Sequence, residues 1–260
     1  MPISQLKYFY DKIENRDLII SVSIDKIKLW NISNMECLYN FINTKKNIFL
    51  FAACFFSFDN KNYIITTTDE ENAPMTLYDF KGNIIKNVYY SSRKLFIDSF
   101  QDKKLLKNYI IFANNKDVKS YDFNKGELFH IYSDYKSRYF YDQFKHVNVL
   151  INSGDNIVKL IFLNSEKFIR IYDFYTGALL NIIDCIKEIK EICLWNCHTL
   201  FITHKKNFLL FDLKNEDFIN EVKIDKEENV INIKKIFLPK YGNCLILLYK
   251  KGIIRLFNII

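Results

Sequence analysis

"FIRIYDFYTG", residues Phe168–Gly177, is the stretch that decides the fold. Apolar and polar side chains alternate, the run ends on the aromatic–acid pair Tyr172-Asp173, and a glycine follows at Gly177. A period of two is the signature of a half-buried strand, and glycine just beyond it marks a tight turn. The same design occurs in six segments, residues 18–32, 63–80, 109–123, 160–174, 200–213 and 245–259. Each opens on a short run rich in Ile, Leu and Phe and crosses a polar turn. It then reaches a second apolar run ending in an aromatic followed by Asp or Asn. Two such runs joined by a polar turn read as a β-hairpin.

The aromatic anchors of these hairpins are Trp30, Tyr78, Tyr121, Tyr172, Phe211 and Phe257, separated by 39 to 51 residues. A repeat of that length built from several strands describes a β-propeller. A third strand follows the anchor in five repeats: "ECLYNFI", "NIIKNVY", "GELFHIY", "GALLNII" and "DFINEVKI". Gly82, Gly126 and Gly177 sit four or five residues past their anchors, where a turn with positive φ is expected. Another apolar run precedes each hairpin: "LKYFY", "IFLFAACFFSF", "KLFIDSF", "RYFYDQFKHV", "IKEICLW" and "INIKKIFL". The expectation is therefore an all-β propeller of about six blades of four antiparallel strands, the last blade incomplete. A partial seven-bladed ring is the alternative. Residues 1–260 are expected to form a single domain.

On these residues the chain resembles the WD-repeat family. The nearest stretch is "SVSIDKIKLWNISNMECLYNF", with Asp25 in the hairpin turn and Trp30 at the anchor; "FSFDNKNYIITT" and "FLPKYGNCLILL" resemble the family's inner strand, turn and second strand. The resemblance runs through nearly the whole chain but is degenerate. No repeat carries the Gly-His pair that the family often places before the inner strand, and only one anchor is Trp. The family's His–Asp–Trp hydrogen-bond network is therefore not expected, and blade stability must come mainly from apolar packing between sheets.

Composition bounds function. The chain has 24 Phe and 17 Tyr but only six Gly and three Pro, a composition suited to a packed core rather than disorder. A net charge of +7, with acidic loops at Asp69–Glu71 and Asp225–Glu228 among the basic ones, is a poor electrostatic footprint for nucleic acid. The family's phosphoinositide-binding relatives carry an adjacent arginine pair; the nearest run here, "SSRKLF" (Ser91–Phe96), lacks one. Six irregularly spaced cysteines suit buried free thiols in a reducing compartment. The N-terminus lacks a signal-peptide core, and the longest apolar run, Ile48–Phe56, is too short to span a bilayer. An intracellular protein, cytoplasmic or nuclear, without a transmembrane segment is expected.

No Ser-His-Asp arrangement, glycine-rich phosphate loop or HExxH pattern occurs. Cys193, Cys197, His198 and His204 cluster in "CLWNCHTLFITH", but within strands, at a spacing that fits core packing better than zinc. Neither catalytic residues nor a metal, cofactor or small-molecule substrate is expected. The resemblance implies a non-enzymatic protein–protein interaction module or a scaffold of a larger assembly, binding proteins or peptides. Phosphoinositide membrane binding and an RNA-associated role in a ribonucleoprotein are the alternatives. The candidate contacts are Tyr135, Arg138, Tyr139 and Tyr141, in the aromatic-dense segment "YSDYKSRYFYDQFKH" (Tyr132–His146), because Tyr and Arg are enriched at interface hot spots. The competing reading makes "RYFY" the inner strand of the fourth blade.

Overall fold

The computed structural model describes the chain except residues 1–2, 24–25, 43–49, 69, 71–72, 89–95, 114–116, 133–143, 152–157, 165–167, 185–188, 190, 197, 205–206, 216, 224–229, 239–241, 250–253 and 259–260. The regular structure of the described residues is β throughout. It falls into two compact units, Met1–Gln143 and Phe144–Ile260.

The first unit holds three four-stranded sheets. They comprise β1 (Ile3–Asp11), β2 (Arg16–Ser23), β3 (Lys26–Asn31) and β4 (Glu36–Ile42); β5 (Leu50–Phe58), β6 (Lys61–Thr68), β7 (Met75–Tyr78) and β8 (Ile84–Val88); and β9 (Phe96–Asp102), β10 (Lys107–Ala113), β11 (Val118–Asp122) and β12 (Glu127–Tyr132). The second unit continues with β13 (Phe144–Ile151), β14 (Val158–Asn164), β15 (Phe168–Asp173) and β16 (Leu179–Asp184), then β17 (Glu191–Leu194), β18 (Thr199–His204), β19 (Asn207–Asp212) and β20 (Asp217–Lys223). It ends on a three-stranded sheet, β21 (Val230–Leu238), β22 (Gly242–Tyr249) and β23 (Ile254–Asn258). Within every sheet, strands pair antiparallel in chain order.

This is an all-β propeller with four-stranded antiparallel blades. The four-stranded blades number five, not about six or seven, and the remaining sheet has three strands. The first strand of the fourth blade is Phe144–Ile151, and "RYFY" (residues 138–141) lies outside the described residues. No helix among the described residues is long and apolar enough to cross a membrane.

Sheets are held by apolar side chains interleaved between neighbouring blades. Phe9 stacks on Phe55 at 4.7 Å, and Phe41 meets Tyr78 edge-on at 5.2 Å. Phe56 and Phe58 of the second sheet both pack on Phe123, which follows the third strand of the third. In the second unit, Ile161, Leu163, Ile169 and Ile171 share a core with Ile192, Leu200, Ile202 and Phe211. Cys193, Phe201 and Phe208 then pack on Ile233, Leu245 and Leu247. In β10 the consecutive residues Asn108–Ala113 are all buried. In β2 burial alternates instead: Leu18, Ile20 and Val22 are fully buried, while the residues between them are half-buried.

The aromatic–acid motif divides its work. The aromatic lies in the third strand of each sheet, and in the first five sheets the next residue closes the turn. Asn31 Oδ1 accepts the backbone N–H of Ser33 at 3.1 Å. Asp79 Oδ1 accepts from Lys81 and Asn83 at 2.9 and 2.8 Å, and Asp122 Oδ1 from Lys125 at 3.0 Å. Asp173 Oδ1 accepts from Tyr175 and Thr176 at 3.0 and 2.7 Å, and Asp212 Oδ1 from Lys214 and Asn215 at 2.8 and 3.3 Å. These are Asx turns, in which a short side chain stands in for a backbone carbonyl.

Burial pushes the Asp79 carboxyl up, but donors from Asn83 and Lys81 together with the Lys81 charge outweigh it and hold the group below its ordinary 3.8. The backbone N–H of Lys214 is the strongest influence lowering Asp212, with Asn215 and His198 adding to it. Because these values are depressed in the folded state, their stabilisation is complete above the ordinary carboxylate range and fades as pH falls through the folded values. Asp79→Asn keeps an acceptor, as Asn31 does in the first sheet, but cannot titrate. Its urea midpoint should fall less than that of the unaltered chain between about pH 5 and about pH 2.5. Equal falls would remove this turn from the account of acid lability. Asp79→Ala, which loses the acceptor, should cost about 1 kcal/mol at neutral pH.

Candidate interaction surface

One face of the first sheet is left open. In β1 the alternation places Lys7 and Phe9 toward the second blade and Leu6, Tyr8 and Tyr10 away from it, where they are 47%, 49% and 42% exposed. Register carries this face across the sheet. Tyr8 lies opposite Ile19, which lies opposite Trp30, and Leu6 lies opposite Ser21, which lies opposite Lys28.

The polar atoms of these aromatics are engaged within the sheet. Tyr8 Oη donates to Asp17 at 2.5 Å, Tyr10 Oη donates to Asn15, and Trp30 Nε1 donates to Ser21 Oγ at 2.9 Å. Lys28 Nζ lies 5.2 Å from the centroid of the Trp30 ring. Desolvation, then the hydrogen bond to Asp17 and its charge, pushes the Tyr8 phenol up to about 12. Hydroxyls tied to the sheet leave the rings as a fixed, largely apolar platform. Such rings supply contact area at low entropic cost and are the side chains richest in interface energy.

A cavity of about 210 Å³ opens on the inner strands of the same unit, lined by Lys7, Tyr8 and Phe9, by Phe55, Phe56 and Ser57, by Asp98–Gln101, and by Asn108. Several of its polar groups pair with one another, while Asn108 Oδ1 is buried without a hydrogen-bond partner among the described residues. Lys7 Nζ meets Asp98 Oδ2 at 2.6 Å and lies 5.1 Å from the centre of the Phe96 ring. Ser99 Oγ donates to the Phe55 carbonyl at 2.6 Å, Ser57 Oγ donates to Asn62 Oδ1 at 2.7 Å, and Gln5 Oε1 accepts the Ala53 N–H at 3.2 Å. The Lys7–Asp98, Ser99–Phe55 and Gln5–Ala53 contacts join the inner strands of three blades, and Ser57–Asn62 ties the first two strands of the second. Burial, with the Asp98 charge adding to it, pushes the Cys54 thiol well above its ordinary value.

Trp30, Tyr78, Tyr121, Tyr172, Phe211 and Phe257 lie in β3, β7, β11, β15, β19 and β23, the third strand of each sheet. Tyr135, Arg138, Tyr139 and Tyr141 lie outside the described residues, as do Asp25 and Cys197. Cys193 is buried and His198 exposed, and among the described residues no three His, Cys, Asp or Glu side chains are grouped to hold a metal ion. The open face, with Tyr8 and Tyr10, was missed in the sequence. Alternation in "LKYFY" places Leu6, Tyr8 and Tyr10 on one side, but a covered and an open aromatic face look alike in sequence.

No family model matches the chain, and no curated protein matches it by sequence. Among solved structures, similarity is found to a crystal structure of BBS1N in complex with ARL6DN, soaked with mercury. The TM-score is 0.71 and the identity 11%, over 93% of this chain and 75% of that one. The same complex soaked with lead gives a TM-score of 0.74 and 10% identity over 99% and 80%. These are two of 1302 matching chains, a breadth that establishes the architecture and leaves function to the surface.

Proposed function

We propose that the chain is a non-enzymatic protein–protein interaction module, a WD-repeat-like propeller spanning residues 1–260 as one domain and serving in a larger intracellular assembly. The observation that carries the reading is the open aromatic face of the first sheet, Leu6, Tyr8 and Tyr10 with Ile19 and Trp30 behind them. The structural neighbours support it, being recorded in complex with another protein. We place a second contact at Tyr135, Arg138, Tyr139 and Tyr141.

The test uses the full chain as bait at near-physiological salt. Tyr8→Glu/Tyr10→Glu should lower recovery of the specific partner at least about tenfold, since each interface hot spot contributes roughly 2 kcal/mol or more. Alanine at Tyr135, Arg138, Tyr139 and Tyr141 together should lower it comparably. Recovery unchanged in both variants would end the proposal. Binding that collapses steeply with added salt would instead indicate RNA or an anionic membrane.

A further inference from the structure

The outermost strand of the fourth blade, β16, reads Leu179-Leu180-Asn181-Ile182-Ile183-Asp184 and has one hydrogen-bonded neighbour, β15. Leu179, Leu180 and Ile182 are 41%, 49% and 42% exposed, whereas Ile183 is buried in the core. Natural edge strands are usually blunted by charge or proline, because an unpaired row of N–H and C=O groups templates another strand. The other outer strands are blunted or covered. β20 carries Glu221 and Lys223, β12 carries Glu127 and His130, and β8 carries Lys86. β4 has Glu36 at its start, and its Leu38, Tyr39 and Phe41 are packed into a core. Among these outer strands and the described residues, only β16 combines an uncharged run, residues 179–183, with three exposed aliphatic side chains.

Its order is also chemically symmetric about Asn181. A second copy laid antiparallel, with the two-fold axis at Asn181, would set Leu180 opposite Ile182 twice over and Leu179 opposite Ile183. Asn181 would meet its counterpart on the axis, where two side-chain amides can exchange hydrogen bonds. The one charged residue, Asp184, would face Ala178, so no like charges oppose each other. A twofold contact requires this self-complementarity, because one patch must recognise itself.

We infer that β16 is a homodimerisation edge, pairing with β16 of a second copy so that two four-stranded blades become one eight-stranded sheet. A contact of one short strand buries less than the roughly 1,200 Å² of a standard stable interface, so the dimer is weak and concentration-dependent. An unrelated extended peptide is the other conceivable occupant, but symmetry about Asn181 gives it no advantage.

The test is sedimentation of the full chain from about 1 μM to about 500 μM, a range that spans weak association. The weight-average mass should rise toward twice the monomer. Leu180→Glu/Ile182→Glu and Leu180→Lys/Ile182→Lys should each stay monomeric across the range. Mixed in equal amounts they should dimerise again, since each Glu meets a Lys. In the unaltered chain, amide exchange at residues 179–183 should slow at high concentration, a readout that needs no variant to fold. A chain monomeric throughout, a dimer indifferent to both variants, or a mixture that stays monomeric would overturn the inference.

Discussion

Phe56→Ala is expected to lower the stability of the first unit by about 3–5 kcal/mol, the usual cost of emptying an aromatic site in a packed core. Phe56 is 2% exposed and lies 4.6 Å from Phe123 between ring centres, within a cluster that includes Cys54, Ile110, Phe112 and Tyr121. It therefore joins the second and third sheets, and the cavity left by its ring would open at their junction. A loss of this size is a large share of the roughly 5–15 kcal/mol that typically holds a domain. Stacked sheets can unfold in parts, so a single global midpoint can miss the effect. Hydrogen exchange of the β6 and β10 amides is the direct readout and should accelerate far more than that of β14 and β18. Ile84→Ala, at a position 61% exposed, is the control and should change stability by no more than about 0.5 kcal/mol. If the two substitutions cost the same, the sheets are not held by interlocked aromatic packing.

That dependence on packing explains how much could be read beforehand. All six hairpins fall where the alternation placed them; β14 and β15, for example, occupy Val158–Asn164 and Phe168–Asp173 within the segment 160–174 and its flank. Strand periodicity is a local property and survives even when the family's characteristic residues are lost. The Asp or Asn after each anchor was visible as a pattern, but its role as a turn cap in the first five sheets became visible only in the structure, because Oδ1 to N–H geometry is not encoded by residue type. Asp11 and Asp102, which cap the first turns of the first and third blades, were not singled out at all; neither follows an anchor aromatic. The candidate surface was the least legible part. Tyr8 and Phe9 are adjacent aromatics in one strand, yet Phe9 stacks on Phe55 while Tyr8 is half exposed. Which face is covered depends on a neighbouring sheet, not on the strand itself. The outer strand β16 was read correctly as a strand. Its symmetry about Asn181 acquires meaning only once the structure shows that strand at an edge with its aliphatic side chains exposed.

The turn glycines supply the second large effect, and they separate two physical costs. Gly82, Gly126 and Gly242 all have positive φ, at 84°, 77° and 74°. Alanine at any of them bears the left-handed backbone penalty, about 1 kcal/mol. Only at Gly82 does a side chain also collide. A Cβ there would lie 1.9 Å from Tyr39 Cζ, whereas at Gly126 the nearest atom is Tyr121 Oη at 3.7 Å, and at Gly242 nothing lies within 4 Å. Tyr39 has little freedom to retreat, since its ring packs edge-on against Phe41 at 4.7 Å within the core shared by the first two blades. Forcing it out adds an overpacking cost of roughly 1–3 kcal/mol, so Gly82→Ala should cost about 2–4 kcal/mol in all. Gly126→Ala and Gly242→Ala should each stay near about 1 kcal/mol. A double-mutant cycle isolates the steric part. In a Tyr39→Ala background the added cost of Gly82→Ala should shrink to the backbone penalty alone. Three equal glycine costs, or a Gly82 effect indifferent to Tyr39, would show that the first two blades are not packed through this turn.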